Sequence, residues 1–589
     1  MATLDIIPPE AAVTLDGLLG ERVRRTPGAV AYRHYDKART QWIETTWREV
    51  YAEVSRWQAA LAGEGLAPGD RVAVMAPNGL NWICFELAAL GLRLVVVPLY
   101  SQDRAGNIAY VLGDADVRAL LIDDEDMWRQ VKAHDGRLDD IARVVSLTPP
   151  LGAGDGRLRF VEDWLPQRGG DVVHGDDGSA LATLVYSSGT GGPPKGIMLS
   201  HANILSNAWS GLQNIPLTPN DLLLSFLPLS HMLERTVGYY APMMAGAQVA
   251  FARSIAELAE DLLAVRPTTL VSVPRIYERV YEGITKHLDQ SGPLTGWLFR
   301  QAVATGWTAF ERAQGRCGWR PRLLLWPLLR QLVAGKIHSR FGGRLRIAIS
   351  GGAAIPEKVA TTMLGLGISI LQGYGLTEAS PIVSVNTPDS NKPQSVGSAL
   401  QGVEVRIGAD EEILVRGPNV MMGYWKNEEA THEVLDAEGW LHTGDQGRIE
   451  ENHLYIIGRL KDIIVLDNGE KVCPIDMEQA ICDDPLVEQV LAIGDGRPYL
   501  IALVVITSGA NGDLSAEALE RSLLERIDRQ LEDFPGYVRV RRLLIADEPW
   551  TVENDLMTVT LKRKRGKIME LYRDRIEGIY LEDRHVPPD

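Results

Sequence analysis

Short β-rich apolar runs, each closed by Gly, Pro or Asp, alternate with helical segments along most of this chain, and that rhythm restricts the fold more than any other feature. Between Thr14 and about Tyr100 the helical "TWREVYAEVSRWQAALAGEGL" precedes "DRVAVMAP" and "RLVVVPLY", and the pattern returns in "VRALLID", "ARVVSLT", "TTLVSVP" and "LRIAISGGAAI". Such alternation predicts a largely parallel sheet with helices on its faces. After about residue 395 the texture changes to short strands and tight turns, as in "GVEVRIGADEEILVRGPNVMMGYW", which predict a small antiparallel barrel or sandwich. Beyond Arg459, a "DNG" hairpin signal, the apolar "LIALVVIT" and the helical "SAEALERSLLERIDRQLEDF" predict a separate α+β domain. The expected fold class is therefore α/β plus α+β, with a large N-terminal domain over 1–458 and a smaller one over 459–589.

With 589 residues the chain is too long for one core. Its net charge of −17 argues against a nucleic-acid partner, which demands a basic face. Cys84, Cys317, Cys473 and Cys482 are widely spaced and form no C-x-x-C pair, so neither a disulfide framework nor a zinc site is expected, and a reducing cytoplasm fits best. The acidic N-terminus, interrupted by Pro8 and Pro9, lacks the basic start of a secretory signal, and no segment reaches the roughly 18 apolar residues of a membrane span. The stretch 318–340, "GWRPRLLLWPLLRQLVAGKIHSR", reads in two ways. It can lie in a membrane interface as a peripheral contact, or form a buried helix with snorkelling arginines; the buried helix is the expectation.

"LVYSSGTGGPPKGIMLSH" sets a strand directly before a loop of small hydroxyl residues, glycines, two prolines and Lys195. Small side chains let backbone N–H groups approach a polyanion, and Ser187, Ser188 and Thr190 add hydroxyls, so a triphosphate is the natural guest. The loop is not a Walker A element, because Pro194 precedes the lysine and Gly196 follows it. Neither G-x-G-x-x-G nor G-x-S-x-G is present there.

Four further segments carry chemistry. "LQGYGLTEAS" offers Tyr374 among glycines as a stacking surface and Glu378 as a hard oxygen ligand for magnesium, or is a plain turn into a capped helix. "GWLHTGDQG" places Asp445 in a glycine turn, where a carboxylate can accept both hydroxyls of a ribose, or is an ordinary Asp turn. "GRLKD" puts Arg459 and Lys461 where the composition shifts between domains. "TVTLKRKRGK" is a basic terminal run, most often a solvated face.

Taken in order, these segments resemble the adenylate-forming superfamily of acyl-CoA synthetases, luciferases and peptide-synthetase adenylation domains. The family's Y-[ST]-S-G-T-T-G-x-P-K-G loop, G-Y-G-x-T-E, T-G-D, G-R-x-K-D and late lysine stand here as "YSSGTGGPPKG", "GYGLTE", "TGD", "GRLKD" and Lys562. "VPRIYERVYEGITKHL" and the "TVTLKRKR" ending look like its long-chain fatty acyl-CoA synthetase branch. Gly191 departs from the family by standing where a second threonine is usual.

The resemblance implies activation of a fatty acid by ATP and Mg²⁺ to acyl-AMP, then thioester formation with coenzyme A. It further implies that Ser187, Ser188, Gly189, Thr190 and Lys195 hold phosphates, with Glu378 and Thr190 at the metal and Thr377 at the α-phosphate. Gly352, Ala353, Ala354, Gly373 and Tyr374 would surround adenine, while Asp445 and Arg459 take the ribose. Lys461 corresponds to a hinge, and Lys562, with Thr190 and Glu378, to the catalytic set. Lys562 follows Thr558 as in the family's ending, and Lys564, following Thr560, is the rival register. His231 matches a position beside the acyl pocket, with a structural histidine as the alternative, and Trp209, Met232, Val237 and Ile382 are candidates for its lining. A stand-alone ligase that loads a carrier protein would keep the same motifs.

Overall fold

The structure, a computed structural model, describes residues 4–134, 137–150, 155–187, 193–507, 516–532, 534–558 and 562–582. Among these residues the alternating runs form two large sheets, of nine and eight strands. In the first, Gln248–Phe251, Leu222–Ser225, Thr269–Ser272, Ile347–Ser350 and Ile370–Gly375 lie side by side, every neighbouring pair parallel. In the second, Val95–Pro98, Arg71–Met75, Val117–Ile122, Arg143–Ser146 and Leu158–Phe160 are likewise parallel. Strand Leu181–Ser187 joins that sheet beside Val95–Pro98 and pairs antiparallel with Lys195–Ser200, which sets Ser187 opposite Lys195.

Successive strand residues face opposite sides, and both sides are covered. Val72 and Val74 enter the main core, while Ala73 and Met75 enter a second cluster on the other face. This double burial explains why the runs are continuously apolar rather than alternating. Helices Leu15–Arg25, Trp47–Ala62, Leu80–Gly91 and His201–Asn214 fill the main core between the sheets. Trp47–Ala62 starts where it does because Thr46 and Glu49 form a reciprocal capping box.

The region after residue 395 holds a four-stranded antiparallel sheet in the order Glu404–Ile407, Glu412–Arg416, Leu441–Glu450, His453–Arg459. The C-terminal part builds a three-stranded sheet of Val487–Ile493, Leu500–Ile506 and Val540–Ile545. Leu500, Ala502 and Val504 face helix Ala516–Gln530, whereas Ile501, Leu503 and Val505 pack under Ile568 and Ile576 of the last two helices. The "DNG" signal is a real hairpin, pairing Ile464–Val465 with Lys471–Val472, with Gly469 at φ +86°.

Segment 318–340 departs from its expectation. Instead of one buried helix it forms four short abutting helical pieces, Pro321–Leu325, Trp326–Leu329, Arg330–Ala334 and Gly335–Arg340, that stay largely exposed. Leu324 is 73% exposed and Leu328 56%. The apolar residues occur consecutively rather than on one stripe, and the helix Pro293–Ala313 that packs on the segment covers only one side of it.

Candidate active site

In open α/β sheets, ligands collect beyond the carboxyl ends of the parallel strands. Here strand Ile347–Ser350 runs into Gly352, Ala353 and Ala354, and its neighbour Ile370–Gly375 carries Gly373 and Tyr374 near its end. All five residues line one cavity of about 3600 Å³. Gly352 has φ +84°, a left-handed turn that glycine adopts without strain. Gly375 is required by space, since a Cβ there would lie 2.0 Å from the Pro381 carbonyl oxygen. The chain then turns through Thr377–Ala379, which brings Thr377 and Glu378 to the same wall.

Two tyrosines organise the carboxylates. The Tyr374 hydroxyl donates to Asp445 Oδ2 at 2.7 Å, and Arg459 Nε donates to Oδ1 at 2.9 Å. Asp445 and Arg459 face each other because strands Leu441–Glu450 and His453–Arg459 pair in that register. Burial, reinforced by Asp445, raises the Tyr374 pKa, so its proton stays in place as a donor. The Tyr424 hydroxyl donates to Glu378 Oε1 at 3.0 Å, and the Lys195 ammonium sits 5.0 Å from the centre of the Tyr424 ring. Tyr424 therefore couples the lysine of the loop to the carboxylate of the neighbouring turn. No motif in the sequence singled it out, because its partners lie far away along the chain.

The basic C-terminal run is sorted by its ion pairs. Arg563 and Arg565 bind the buried Glu478, and Lys564 and Lys567 bind Asp555. Lys562 alone of that run has no salt bridge among the described residues. Its side chain lines the cavity, reached by solvent yet walled by protein. Burial and then Arg459 lower its pKa, while Asp445 and Glu378 oppose the shift. The backbone of Lys562 is pinned by Thr558, whose hydroxyl accepts from its N–H at 3.0 Å. Asp555 also receives Arg104 at 2.8 Å, tying this C-terminal loop to the N-terminal part. Lys564, the rival register, is thus committed to Asp555.

His231 borders the cavity and accepts from Leu233 N–H through Nδ1 at 3.2 Å. Burial, then the nearby Lys562, pushes its pKa down to about 4, so the ring is neutral at pH 7. Met232, Val237 and Ile382 line the adjoining apolar wall. Trp209 does not, contrary to expectation: Ala208, Gly211 and Leu212 turn that face of helix His201–Asn214 to the cavity, and Trp209, about 100° away, packs on the main core. Ser187, Lys195 and Lys461 line the cavity, whereas Ser188, Gly189, Thr190 and Gly191 lie outside the described residues.

The AMP-binding enzyme family matches residues 19–425, and the AMP-binding enzyme C-terminal domain matches 461–584. Long-chain-fatty-acid–CoA ligase FadD15 of Mycobacterium tuberculosis is 31% identical over 572 residues, 92% of this chain and 92% of that protein. The chloroplastic long-chain-fatty-acid–[acyl-carrier-protein] ligase AEE15 of Arabidopsis thaliana is 27% identical, over 91% of this chain and 83% of its own. Among solved structures, the anthranilate CoA ligase AuaEII in complex with anthranoyl-AMP superposes with a TM-score of 0.74 at 20% identity, covering 96% of this chain and 98% of that one.

Proposed function

This chain belongs to the AMP-binding enzyme family of adenylate-forming ligases, and from that premise we propose that it joins a long-chain fatty acid to coenzyme A through an acyl-AMP intermediate. The observation that carries the reading is the convergence of Lys562 with Glu378, Asp445 and Arg459 in one cavity that also has an apolar wall at Met232, Val237 and Ile382. A free carboxylate resists a thiol because its carbonyl carbon is electron-rich and oxide is a poor leaving group. Activation is therefore obligatory.

In the first step a carboxylate oxygen bonds to the α-phosphorus of ATP, and the bond to the bridging oxygen of pyrophosphate breaks. Charge builds on the α-phosphoryl oxygens, where a preorganised cation has most effect. Lys562 supplies that cation. Lys195, with the loop 187–195, receives the outer phosphates, Asp445 and Arg459 receive the ribose, and Tyr374 flanks the adenine. Magnesium demands few protein carboxylates because it keeps waters and phosphate oxygens, and Glu378, whose Oε2 makes no hydrogen bond among the described residues, suits it as the carboxylate ligand. Such an ion would neutralise charge on the departing pyrophosphate. In the second step the coenzyme A sulfur bonds to the acyl carbon, and AMP leaves with the carboxyl-derived oxygen. The 459–589 domain would swing about Lys461 between the steps, withdrawing Lys562.

Palmitate, ATP, magnesium and coenzyme A incubated with the protein should give palmitoyl thioester, AMP and pyrophosphate in equal amounts. Absence of palmitate-dependent pyrophosphate release would overturn the reading. Adenylate that forms but passes only to an acyl carrier protein would favour the second reading, which AEE15 motivates.

Tyr424→Phe tests the coupling at Glu378. The ring, and with it the contact to Lys195, remains while the O–H donor is lost. Hydrogen bonds to charged groups contribute about 1.5–3 kcal/mol. Pyrophosphate release should fall by about tenfold or more, with a higher magnesium concentration for half-maximal rate. Unchanged rate and unchanged magnesium dependence would remove Tyr424 from the site.

A further inference from the structure

The turn before the Lys562 hairpin holds itself together without the carboxylate of Asp555. Asn554 Oδ1 accepts from the Thr551 N–H at 2.9 Å, Thr551 Oγ1 accepts from the Asn554 N–H at 3.2 Å, and the Met557 N–H returns to the Thr551 carbonyl at 2.9 Å. Asp555 nevertheless stands there at φ 65°, in the left-handed region that glycine occupies without strain. Its side chain gathers cations: Lys564 and Lys567 from its own domain, and Arg104, at 2.8 Å, from the N-terminal part. Burial raises the Asp555 carboxyl, but the three cations outweigh it and its pKa ends below the ordinary carboxylate value, so it is ionised at pH 7. The two lysines stay with Asp555 wherever the C-terminal domain moves. Arg104 is within reach only in the arrangement that sets Lys562 against the cavity.

Asp555 also lies at the foot of the hairpin that carries Lys562. The Lys564 N–H donates to the Leu556 carbonyl at 2.9 Å, Met557 pairs antiparallel with Arg563, and the Thr558 N–H donates to the Lys562 carbonyl at 2.8 Å. Arg104 in turn stands at the N-cap of helix Ala105–Asp114, and at the other end of that helix Asp114 accepts from the Tyr186 hydroxyl at 2.6 Å, on strand Leu181–Ser187. We propose that Asp555 is a positioning residue for adenylation: its bond to Arg104 seats the Lys562 hairpin against the cavity in the first step and breaks before the second. The proposal rests on the two-step reading above. A side chain kept at left-handed φ needs a compensating interaction. Lys564 and Lys567 suffice to hold the hairpin itself, and Arg104 adds a bond that depends on how the two domains are placed.

The test measures the two half-reactions separately, as palmitate-dependent pyrophosphate release and as thioester formation from supplied palmitoyl-AMP and coenzyme A. Arg104→Gln should lower the first by about two- to fivefold, the range of a partly exposed ion pair, and leave the second unchanged or faster. Asp555→Gly relieves the backbone, so a role confined to the turn predicts no loss. The proposal predicts instead a fall of about tenfold in pyrophosphate release, because Lys564 and Lys567 are left facing Arg104 without their carboxylate. Adding Arg104→Gln to Asp555→Gly should bring no further loss, since both remove the same bond. Raising the salt concentration should narrow the gap between the unaltered protein and Arg104→Gln. Small-angle X-ray scattering of the substrate-free proteins gives a readout without chemistry, in which either variant should be less compact than the unaltered protein. Equal losses in both half-reactions, an Asp555→Gly variant that adenylates at the unaltered rate, or unchanged scattering overturns the proposal. Should the unaltered protein release no pyrophosphate with palmitate, the functional reading fails, and the scattering alone still decides whether Arg104 and Asp555 hold the domains together.

Discussion

Lys562→Ala is expected to lower acid-dependent pyrophosphate release by about 10²–10³-fold, the loss that follows removal of one preorganised group from developing charge. Four of the five basic residues in the run 562–567 are held by Glu478 or Asp555, and the remaining one lines the cavity with Glu378 and Asp445. Thioester formation from supplied acyl-AMP should change far less, because no phosphoryl charge builds in that step. Lys564→Ala should cost only a few-fold, through its link to Asp555. A reversed ranking, with Lys564 the more damaging, would move the chemistry to the other register. The pH profile gives a second handle. The ammonium is the active form, and burial together with Arg459 lowers its pKa below the ordinary 10.5, so the adenylation rate falls as pH rises through that lowered value. Lys562→Arg should retain part of the rate and lose this alkaline limb, since a guanidinium stays charged. An alkaline limb at or above the ordinary lysine value in the unaltered protein would contradict the assignment.

Fold and site differ in how far they can be read from the residues. The parallel strands were legible because burial on both faces writes itself as continuous apolar runs, and "VAVM", "VVVP" and "ALLI" all fall inside strands. The resemblance sets Asp445 and Arg459 at one ribose, but their ion pair with each other is not written in the local sequence. They are 14 residues apart, and only the hairpin at Glu451 and Asn452, both at positive φ, sets one opposite the other. Tyr424 reaches Glu378 across 46 residues, a distance at which no local pattern operates.

Segment 318–340 was misread for a related reason. Composition reports that leucines and arginines are present, not whether a second element covers them. A buried helix and an exposed one share the same letters, and the difference lies in packing supplied by the rest of the chain.

Arg235→Met is expected to destabilise the N-terminal part by about 3–5 kcal/mol, the cost of leaving a buried charge without its partner. Arg235 and Glu86 are both fully shielded from solvent. Arg235 Nε donates to Glu86 Oε1 at 2.7 Å, its Nη1 donates to Thr183 Oγ1 at 2.9 Å, and the Tyr240 hydroxyl donates to the same Glu86 oxygen at 2.8 Å. Burial meanwhile pushes the neighbouring Glu234 up to about 8, which keeps it neutral at pH 7 and leaves Arg235 as the counter-charge of Glu86. Removing Arg235 strands a carboxylate inside the main core. Glu86→Gln combined with Arg235→Met removes both charges and should recover most of the loss, because the remaining groups are neutral. Equilibrium urea unfolding, following the transition of the N-terminal part, measures both variants. A single substitution costing under about 1 kcal/mol would sink the buried-pair account, since that is the range of an exposed ion pair. The consequence reaches the site: Thr183 lies on the strand that leads into the loop at Ser187, and the adjacent Thr236 donates to the Ser380 carbonyl at 2.9 Å, two residues past Glu378. One buried pair thereby fixes the strand Leu181–Ser187, the helix beyond His231 and the turn that carries Glu378, so in Arg235→Met pyrophosphate release should fall even at temperatures where the protein remains folded.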